Sequence, residues 1–285
     1  MRLVSFTAET GRRIGILEGD SVIDLSALDP TLTDMVDLIG RGVGALDALA
    51  ARAGAGRPIE QVRIEAPIRP RKNVIAIGRN YLEHIREAPG PGAASRPPPE
   101  HPMVFTKPPT AVIGPGQAID TANDPSDTTD YEGELAVVIG TEGKHIPAEA
   151  AWGHVFGYTI VNDVTARAIQ RRHGQWFVGK GIDTFCPMGP CIVTADEIDD
   201  VKSLWVRTTV NGEERQAASV ADLIFDIPTL IATLSAVMTL EPGDVIATGT
   251  PSGVGMGFDP PRYLKPGDLV EVTVDRIGKL TNPVV

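Results

Sequence analysis

The sequence predicts a β-rich α+β fold, a roll or sandwich rather than a doubly wound parallel sheet. Short β-branched and apolar runs recur along the 285 residues, and 30 glycines and 24 prolines interrupt them. In the second half only residues 223–240 hold a long helical pattern. Short strands separated by turns, with few helices between them, favour sheets that pack on each other.

The first 66 residues are predicted to form a small N-terminal α+β domain. Apolar runs at 3–6, 14–17 and 22–25, with turn signals at 10–11 and 18–20, predict an antiparallel meander. Helical spacing follows over residues 35–39 and 46–50. The charge-rich segment 60–70 is interpreted as a linker, so residues 67–285 form the second, catalytic domain.

Composition limits the class of partner. The chain carries 26 Lys and Arg against 37 Asp and Glu, a net charge of −11. This charge argues against a nucleic-acid or anionic-membrane partner, although a local cationic pocket is compatible with it. Cys186 and Cys191 are too few for a disulfide framework and are predicted to be reduced core residues. With no long apolar run and no signal peptide, we expect a soluble, cytoplasmic protein.

A Glu-x-Glu pair opens the apolar run that ends at residue 139. In a strand Glu132 and Glu134 share a face, and Gly133 between them lets another group approach closely. Two carboxylates on one face repel each other unless a cation lies between them, and a divalent metal ion is the common solution. The alternative is a solvated strand face with two surface glutamates.

A second polar segment follows the apolar strand 73–78. Residues 79–88 favour a helix with Asn80 as N-cap, which places Tyr81, His84 and Glu87 on one face. The Pro- and Gly-rich stretch 89–99 follows directly, and a short polar helix beside such a stretch is typical of a mobile lid. An exposed helix with a Pro-rich surface loop is the alternative.

Two further residues stand at element ends. The buried strand 155–163 ends in Asp163 before a predicted helix from 165 to about 172, so Asp163 either caps that helix or supplies a third oxygen ligand. Lys180 lies between two glycines that do not shield its stem. The glycine run 253–257 lacks the strand-loop-helix context of a nucleotide loop, so it predicts no nucleotide site.

Taken together, the motifs resemble those of the fumarylacetoacetate hydrolase family over residues 70–285. In chain order they are Gly-Arg-Asn-Tyr at 78–81 with His84 and Glu87, Phe-Thr-Lys-Pro at 105–108, Asp-Tyr-Glu-Gly-Glu at 130–134 and the apolar run to Gly140, Gly-Tyr-Thr at 157–159 with Asn-Asp-Val-Thr-Ala-Arg at 162–167, Gly-Lys at 179–180, and Thr-Gly-Thr-Pro-Ser-Gly-Val-Gly at 248–255.

The resemblance implies a mixed β-sandwich roll that is usually a homodimer. It implies Mg²⁺ or Mn²⁺ held by Glu132, Glu134 and Asp163, and a 2-oxo acid substrate whose carboxylate and keto oxygen chelate that ion. Hard cations take oxygen ligands, and three protein ligands leave positions open for substrate. The metal would stabilise an enolate as negative charge develops.

The resemblance also assigns roles to the other polar residues. His84 would be the general base that activates water, with Glu87 orienting it, and Lys180 would stabilise an oxyanion or move a proton.

Three more residues would contact the substrate. By resemblance they are Arg167, Gln170 and Thr250. Their alternatives are a surface salt bridge for Arg167, a solvated amide for Gln170 and a loop hydroxyl for Thr250.

The main functional interpretation is a Mg²⁺-dependent hydrolase that cleaves a carbon-carbon bond in a 2,4-dioxo acid of the acylpyruvate type. The chain resembles the shorter family members, whose acylpyruvate hydrolases, oxaloacetate decarboxylases and oxaloacetate tautomerases share nearly the same residues. Decarboxylation or keto-enol tautomerisation of oxaloacetate at the same metal is therefore the alternative. A non-catalytic metal-binding protein is a remote third possibility.

Overall fold

The computed structural model describes residues 1–9, 11–88, 90 and 92–285. Within these ranges the strands are β1 (Arg2–Ala8), β2 (Gly11–Glu18), β3 (Ser21–Asp24), β4 (Arg57–Pro58), β5 (Arg63–Glu65), β6 (Val74–Gly78), β7 (Met103–Lys107), β8 (Val112–Ile113), β9 (Thr129–Asp130), β10 (Gly133–Ile139), β11 (Val155–Asn162), β12 (Thr165–Ala166), β13 (Cys186–Thr194), β14 (Trp205–Val210), β15 (Glu213–Ser219), β16 (Val245–Ala247), β17 (Leu269–Val274) and β18 (Gly278–Pro283). The α-helices are α1 (Leu25–Leu28), α2 (Met35–Arg41), α3 (Val43–Ala50), α4 (Leu82–Glu87), α5 (Arg167–Arg172), α6 (Phe177–Lys180) and α7 (Ile227–Ser235).

A large mixed sheet forms the centre of the molecule. Its strand order is β4-β3-β2-β1-β13-β11-β10-β16-β6-β7, with β5 added to β1 and β8 to β13. Pairing is antiparallel except at β16 with β6 and β8 with β13. A second, antiparallel sheet has the order β15-β14-β17-β18. The β-rich α+β fold predicted from the sequence is confirmed.

Strand β10 is buried on both faces, which explains its continuous apolar sequence. Leu135 and Val137 pack in one core cluster with Val272 of the second sheet, whereas Ala136 and Val138 belong to a second cluster. The first cluster also contains the apolar side of α7, and the second contains those of α2 and α3. The period of two in a strand therefore places β10 between two apolar layers.

Gly133 permits the close approach of the two sheets. A Cβ atom at this position would collide with Thr208 Oγ1 and lie 2.8 Å from Val272 Cγ1. The sequence predicted that a backbone or a ligand approaches this glycine closely, whereas the groups that do so are side chains of the second sheet. The start of β10 thus packs directly against the second sheet.

The N-terminal strands belong to the large sheet. The antiparallel meander of β1, β2 and β3 is confirmed, although the predicted turn at 10–11 includes Thr10, which lies outside the described residues. Arg2 and Leu3 pair with Val193 and Ile192 of β13. The segment interpreted as a linker is wrong in part, because β5 lies in it and pairs with β1. The division of the chain at residue 66 stays a prediction.

Helices α2 and α3 extend beyond the predicted patterns 35–39 and 46–50, whereas two other helices are shorter than predicted. The pattern over 223–240 gives only α7, and the predicted helix over 79–88 is limited to α4. The predicted lid segment includes Pro89 and Pro91, which lie outside the described residues. Across the described ranges, no helix is long and apolar enough to cross a membrane.

Candidate active site

A cavity of about 290 Å³ lies beside the start of β10 and the helices α4 and α5. Among the residues that line it are seven predicted from the sequence, namely His84, Glu132, Glu134, Arg167, Gln170, Lys180 and Thr250. The other two predicted residues, Glu87 and Asp163, contact members of this group.

The three predicted metal ligands lie together. One carboxylate oxygen from each of Glu132, Glu134 and Asp163 falls within 4.8 Å of the others. The pairing of β10 with β11 brings this about, since Gly133 lies opposite Asn162 and the Asp163 amide donates to the Glu132 carbonyl at 2.8 Å. All three acids are buried, so the alternative of a solvated strand face is wrong. Asp163 binds lysines instead of capping a helix.

Buried cations lie against two of the acids. Lys180 Nζ is 2.6 Å from both Glu132 Oε2 and Asp163 Oδ2. Lys107 Nζ is 2.6 Å from Asp163 Oδ1, and Arg167 Nη1 is 2.6 Å from Glu132 Oε1. Burial alone would raise the pKa of Glu132, but Lys180 and Arg167 outweigh it and hold that pKa below its ordinary value.

Glu134 has a different environment. Its Oε2 accepts a hydrogen bond of 2.7 Å from the Gly249 amide. Burial, and then the adjacent Asp163 and Glu132 carboxylates, raise the pKa of Glu134 well above its usual value. A dication would relieve this repulsion, and three converging oxygen donors are what Mg²⁺ or Mn²⁺ requires. The residues present therefore fit a divalent metal ion.

Arg167 is fully buried, so the alternative of a surface salt bridge is wrong. Besides Glu132 it binds Asp130, with Nε 2.8 Å from Oδ2. Asp130 in turn accepts hydrogen bonds from the amides of Gly255 and Met256 at 2.6 and 3.0 Å. Arg167 Nη2 has no hydrogen-bond partner within the described part of the chain. A buried donor of this kind is normally satisfied by water or a ligand.

His84 and Glu87 form the predicted pair. His84 Nδ1 lies 2.7 Å from Glu87 Oε1, and Glu87 Oε2 accepts a hydrogen bond of 2.6 Å from the Gly253 amide. A carboxylate only accepts hydrogen bonds, so Nδ1 is the donor of this pair, and in the neutral imidazole Nε2 is then the acceptor. The glycine-rich run thus holds the carboxylate of this pair.

Asn80 does not cap helix α4, so this prediction is wrong. Its amide nitrogen donates to the carbonyls of Phe225 and Thr248 at 3.0 and 2.8 Å, and its Oδ1 accepts from the Phe225 amide. The Asn80 side chain therefore binds backbone groups that are distant in sequence and not the N–H groups at the start of α4. Asn80 therefore ties the base of α4 to the strand end that leads to Thr250.

Thr250 and Gln170 both line the cavity, and their contact with a substrate stays a prediction. The Thr250 hydroxyl donates to the Gly133 carbonyl at 3.0 Å and accepts from Gln216 Nε2 at 2.8 Å. The hydroxyl therefore also stabilises the start of β10. This agrees with the alternative interpretation of Thr250 as a loop hydroxyl.

Sequence reasoning assigned no role to Lys107, Asp130 and Asn162. Lys107 and Asp130 neutralise or orient groups of the site, and Asn162 Oδ1 accepts from the Glu132 amide at 3.0 Å. All three residues lie in motifs that carried the family resemblance. For Lys107, a charged residue at the end of an apolar strand was the available signal.

Comparison with known proteins shows the family and the similar proteins. Residues 73–285 match the family model described as fumarylacetoacetate (FAA) hydrolase C-terminal. The chain is 53% identical over 227 residues to oxaloacetate tautomerase YisK of Bacillus subtilis (strain 168), covering 79% of this chain and 74% of that protein. It is 40% identical over 295 residues to mitochondrial oxaloacetate tautomerase fahd2 of Xenopus laevis, covering 100% of this chain and 90% of that protein.

A solved structure gives the same fold. The chain resembles maleylpyruvate hydrolase from Sphingobium sp. SYK-6, in complex with manganese(II) and pyruvate, with 35% identity and a TM-score of 0.79. The match covers 100% of this chain and 99% of that one.

Proposed function

We propose that this chain, which belongs to the fumarylacetoacetate hydrolase family, interconverts the keto and enol forms of oxaloacetate. Two similar proteins, of which one matches the whole of this chain, are oxaloacetate tautomerases, and they support this choice over the hydrolase interpretation. The observation that carries the proposal is the buried acidic triad, two members of which, Glu132 and Glu134, line a small cavity together with His84 and Lys180.

Glu132, Glu134 and Asp163 would hold the metal ion, Mg²⁺ or Mn²⁺. When bound, such an ion polarises a keto group and so makes the neighbouring C–H protons more acidic. The manganese and pyruvate bound by the similar hydrolase support an ion of this kind. Arg167 Nη2, the buried unpaired donor, would bind the substrate carboxylate next to the keto group.

Tautomerisation removes one proton from C3 of oxaloacetate and adds one to the keto oxygen, while the C2–O π bond is replaced by a C2–C3 π bond. His84 Nε2 would accept the C3 proton, because Glu87 holds Nδ1 in its protonated form. Lys180 has three N–H donors, and Glu132 and Asp163 accept two of them. The third N–H would give its proton to the keto oxygen, and the proton taken by His84 would return to Lys180 through water, which restores both residues.

The test follows the absorbance of enol oxaloacetate with Mg²⁺, with Mn²⁺ and with EDTA. We expect metal-dependent acceleration, which His84→Asn reduces by about 100-fold or more, the usual contribution of a general base. The exposed His101 gives a matched control, His101→Asn, with the wild-type rate. A decay of the enol that is the same with and without protein would refute the proposal.

Hydrolysis of an acylpyruvate is the second candidate, favoured by the intact pair of His84 and Glu87. Water attack on a carbonyl needs such a base, whereas loss of CO₂ does not. Pyruvate release from acetylpyruvate or fumarylpyruvate, faster than enol conversion, would establish the hydrolase. Pyruvate from oxaloacetate alone would establish a decarboxylase, and stoichiometric metal binding without any turnover a binding protein.

We also propose a homodimer. Val104 on β7 and Phe177 and Val178 on α6 expose 44%, 45% and 48% of their surface, and these two elements contact each other. Adjacent exposed apolar side chains are typical of an interface. Light scattering coupled to size exclusion tests this, and a monomer at micromolar concentration would contradict it.

A further inference from the structure

We propose that Arg79 and Arg171 form a subsite at the outer end of the cavity for a second carboxylate. The site would then select dicarboxylic over monocarboxylic 2-oxo acids. The identification of the diacid as oxaloacetate rests on the proposed function, whereas the preference for a second negative charge does not.

Arg96 lines the cavity and donates to the Ala88 carbonyl at 3.2 Å, and the other arginines and the lysine of the lining are of two kinds. Lys180 and Arg167 are buried and bind the site carboxylates. Arg79 and Arg171 are exposed, and neither guanidinium has a hydrogen bond or an ion pair with any residue in the described ranges. Charges that no protein carboxylate neutralises remain available to an anionic ligand.

The backbone holds Arg79 in an unusual conformation. Its φ is +56°, in the left-handed region that costs free energy for a residue with a side chain. Glycine or asparagine adopts this conformation more readily, and such outliers concentrate at functional sites. This turn directs the arginine onto Trp176, with Cζ 5.9 Å from the ring centroid. A stacked guanidinium keeps its N–H edge free for a carboxylate.

Trp176 is itself fixed in place. A Cβ atom on Gly78 would collide with the indole ring, so the ring lies directly on the backbone of β6. On another side Phe105 meets it edge-to-face, with centroids 5.3 Å apart. The aromatic support under Arg79 is therefore rigid, which lowers the entropy cost of ordering the arginine on binding.

Arg171 follows Arg167 by four residues on helix α5, so the two share one helix face. Arg167 is buried beside Glu132, and Arg171 lies four residues, about 6 Å of helix rise, further along. A four-carbon diacid has a comparable length. One carboxylate would bind Arg167, and the other would reach Arg171 and Arg79.

The first test measures binding without turnover. Calorimetry of the Mg²⁺-supplemented protein compares (S)-malate with (S)-lactate, which lacks the second carboxylate. We expect malate to bind about 100-fold more tightly, with each of Arg79→Gln and Arg171→Gln losing about 10-fold of that preference. Arg172→Gln is the matched control, because Arg172 is exposed on the same helix but does not line the cavity. Equal wild-type affinity for malate and lactate would refute the subsite.

The second test separates the subsite from the proposed reaction. With oxaloacetate the double variant should raise KM with kcat little changed, and with its 4-methyl ester both constants should stay within about 2-fold of wild type. An equal decrease in kcat/KM for oxaloacetate and for the ester would refute the subsite. Selective malate binding in a protein that does not tautomerise oxaloacetate would refute the proposed function and support the subsite.

Discussion

Replacement of Lys180 by methionine tests whether buried cations hold the acid cluster together. The ammonium lies 2.6 Å from carboxylate oxygens of both Glu132 and Asp163, and its side chain is only 2% exposed. Methionine keeps a flexible apolar stem and removes the charge. Two buried carboxylates would then lose the cation that they share.

The expected loss of stability follows from the remaining partners. Removal of one partner from a buried ion pair costs about 3–5 kcal/mol. Asp163 still has Lys107 and Glu132 still has Arg167, so we expect the lower end, about 3 kcal/mol. For a chain of this size that corresponds to a decrease in Tm of roughly 6–12 °C.

Urea unfolding of wild type and Lys180→Met in EDTA measures this difference. Lys202→Met is the control, because Lys202 is 54% exposed and lies 3.3 Å from Asp226. An exposed pair of this kind contributes about 0–1 kcal/mol. If the free energy of unfolding of Lys180→Met is within about 1 kcal/mol of the wild-type value, the buried cation does not stabilise the acids and the reasoning is refuted.

Three further predictions concern the metal ligands and their support. Glu134→Gln should weaken Mn²⁺ binding by more than about 10-fold, measured by calorimetry, because a neutral amide replaces a charged ligand; unchanged affinity would remove Glu134 from the ligands. Gly133→Ala should lower the urea unfolding free energy by about 1–3 kcal/mol, since the new Cβ meets Val272, and wild-type stability would show that the sheets can separate. Asn80→Ala should cost about 2–3 kcal/mol in the same assay, more than the exposed Asn73→Ala, and equal losses would contradict its anchoring role.

Local patterns predicted what depends on neighbours in sequence. The period of two in a strand placed Glu132 and Glu134 together, and helical spacing placed His84 beside Glu87. For Asp163 the sequence left two uses open, a helix cap or a ligand. The register of β10 against β11 decides between them, because it brings Asp163 to Glu132.

Long-range contacts account for what the sequence did not predict. Lys107 and Asp163 are 56 residues apart, and no local signal says that a strand-end lysine is buried against a carboxylate. Asn80 has the residue type of an N-cap, but its acceptor on Thr248 is 168 residues away. The pairing of β1 with β13 joins residues more than 180 positions apart, and the local sequence of residues 60–70 carries no signal of this pairing.

The pairing of β1 with β13 covers a strand edge that would promote aggregation if it were exposed. Arg2 and Leu3 cover β13 at Val193 and Ile192, both buried. A chain beginning at residue 67 would expose this apolar edge with unpaired backbone groups, a template for strand addition between molecules. We expect such a shortened chain to aggregate, seen as light scattering that grows with time, while the 285-residue chain stays clear. The first strand thus prevents aggregation through the edge of β13.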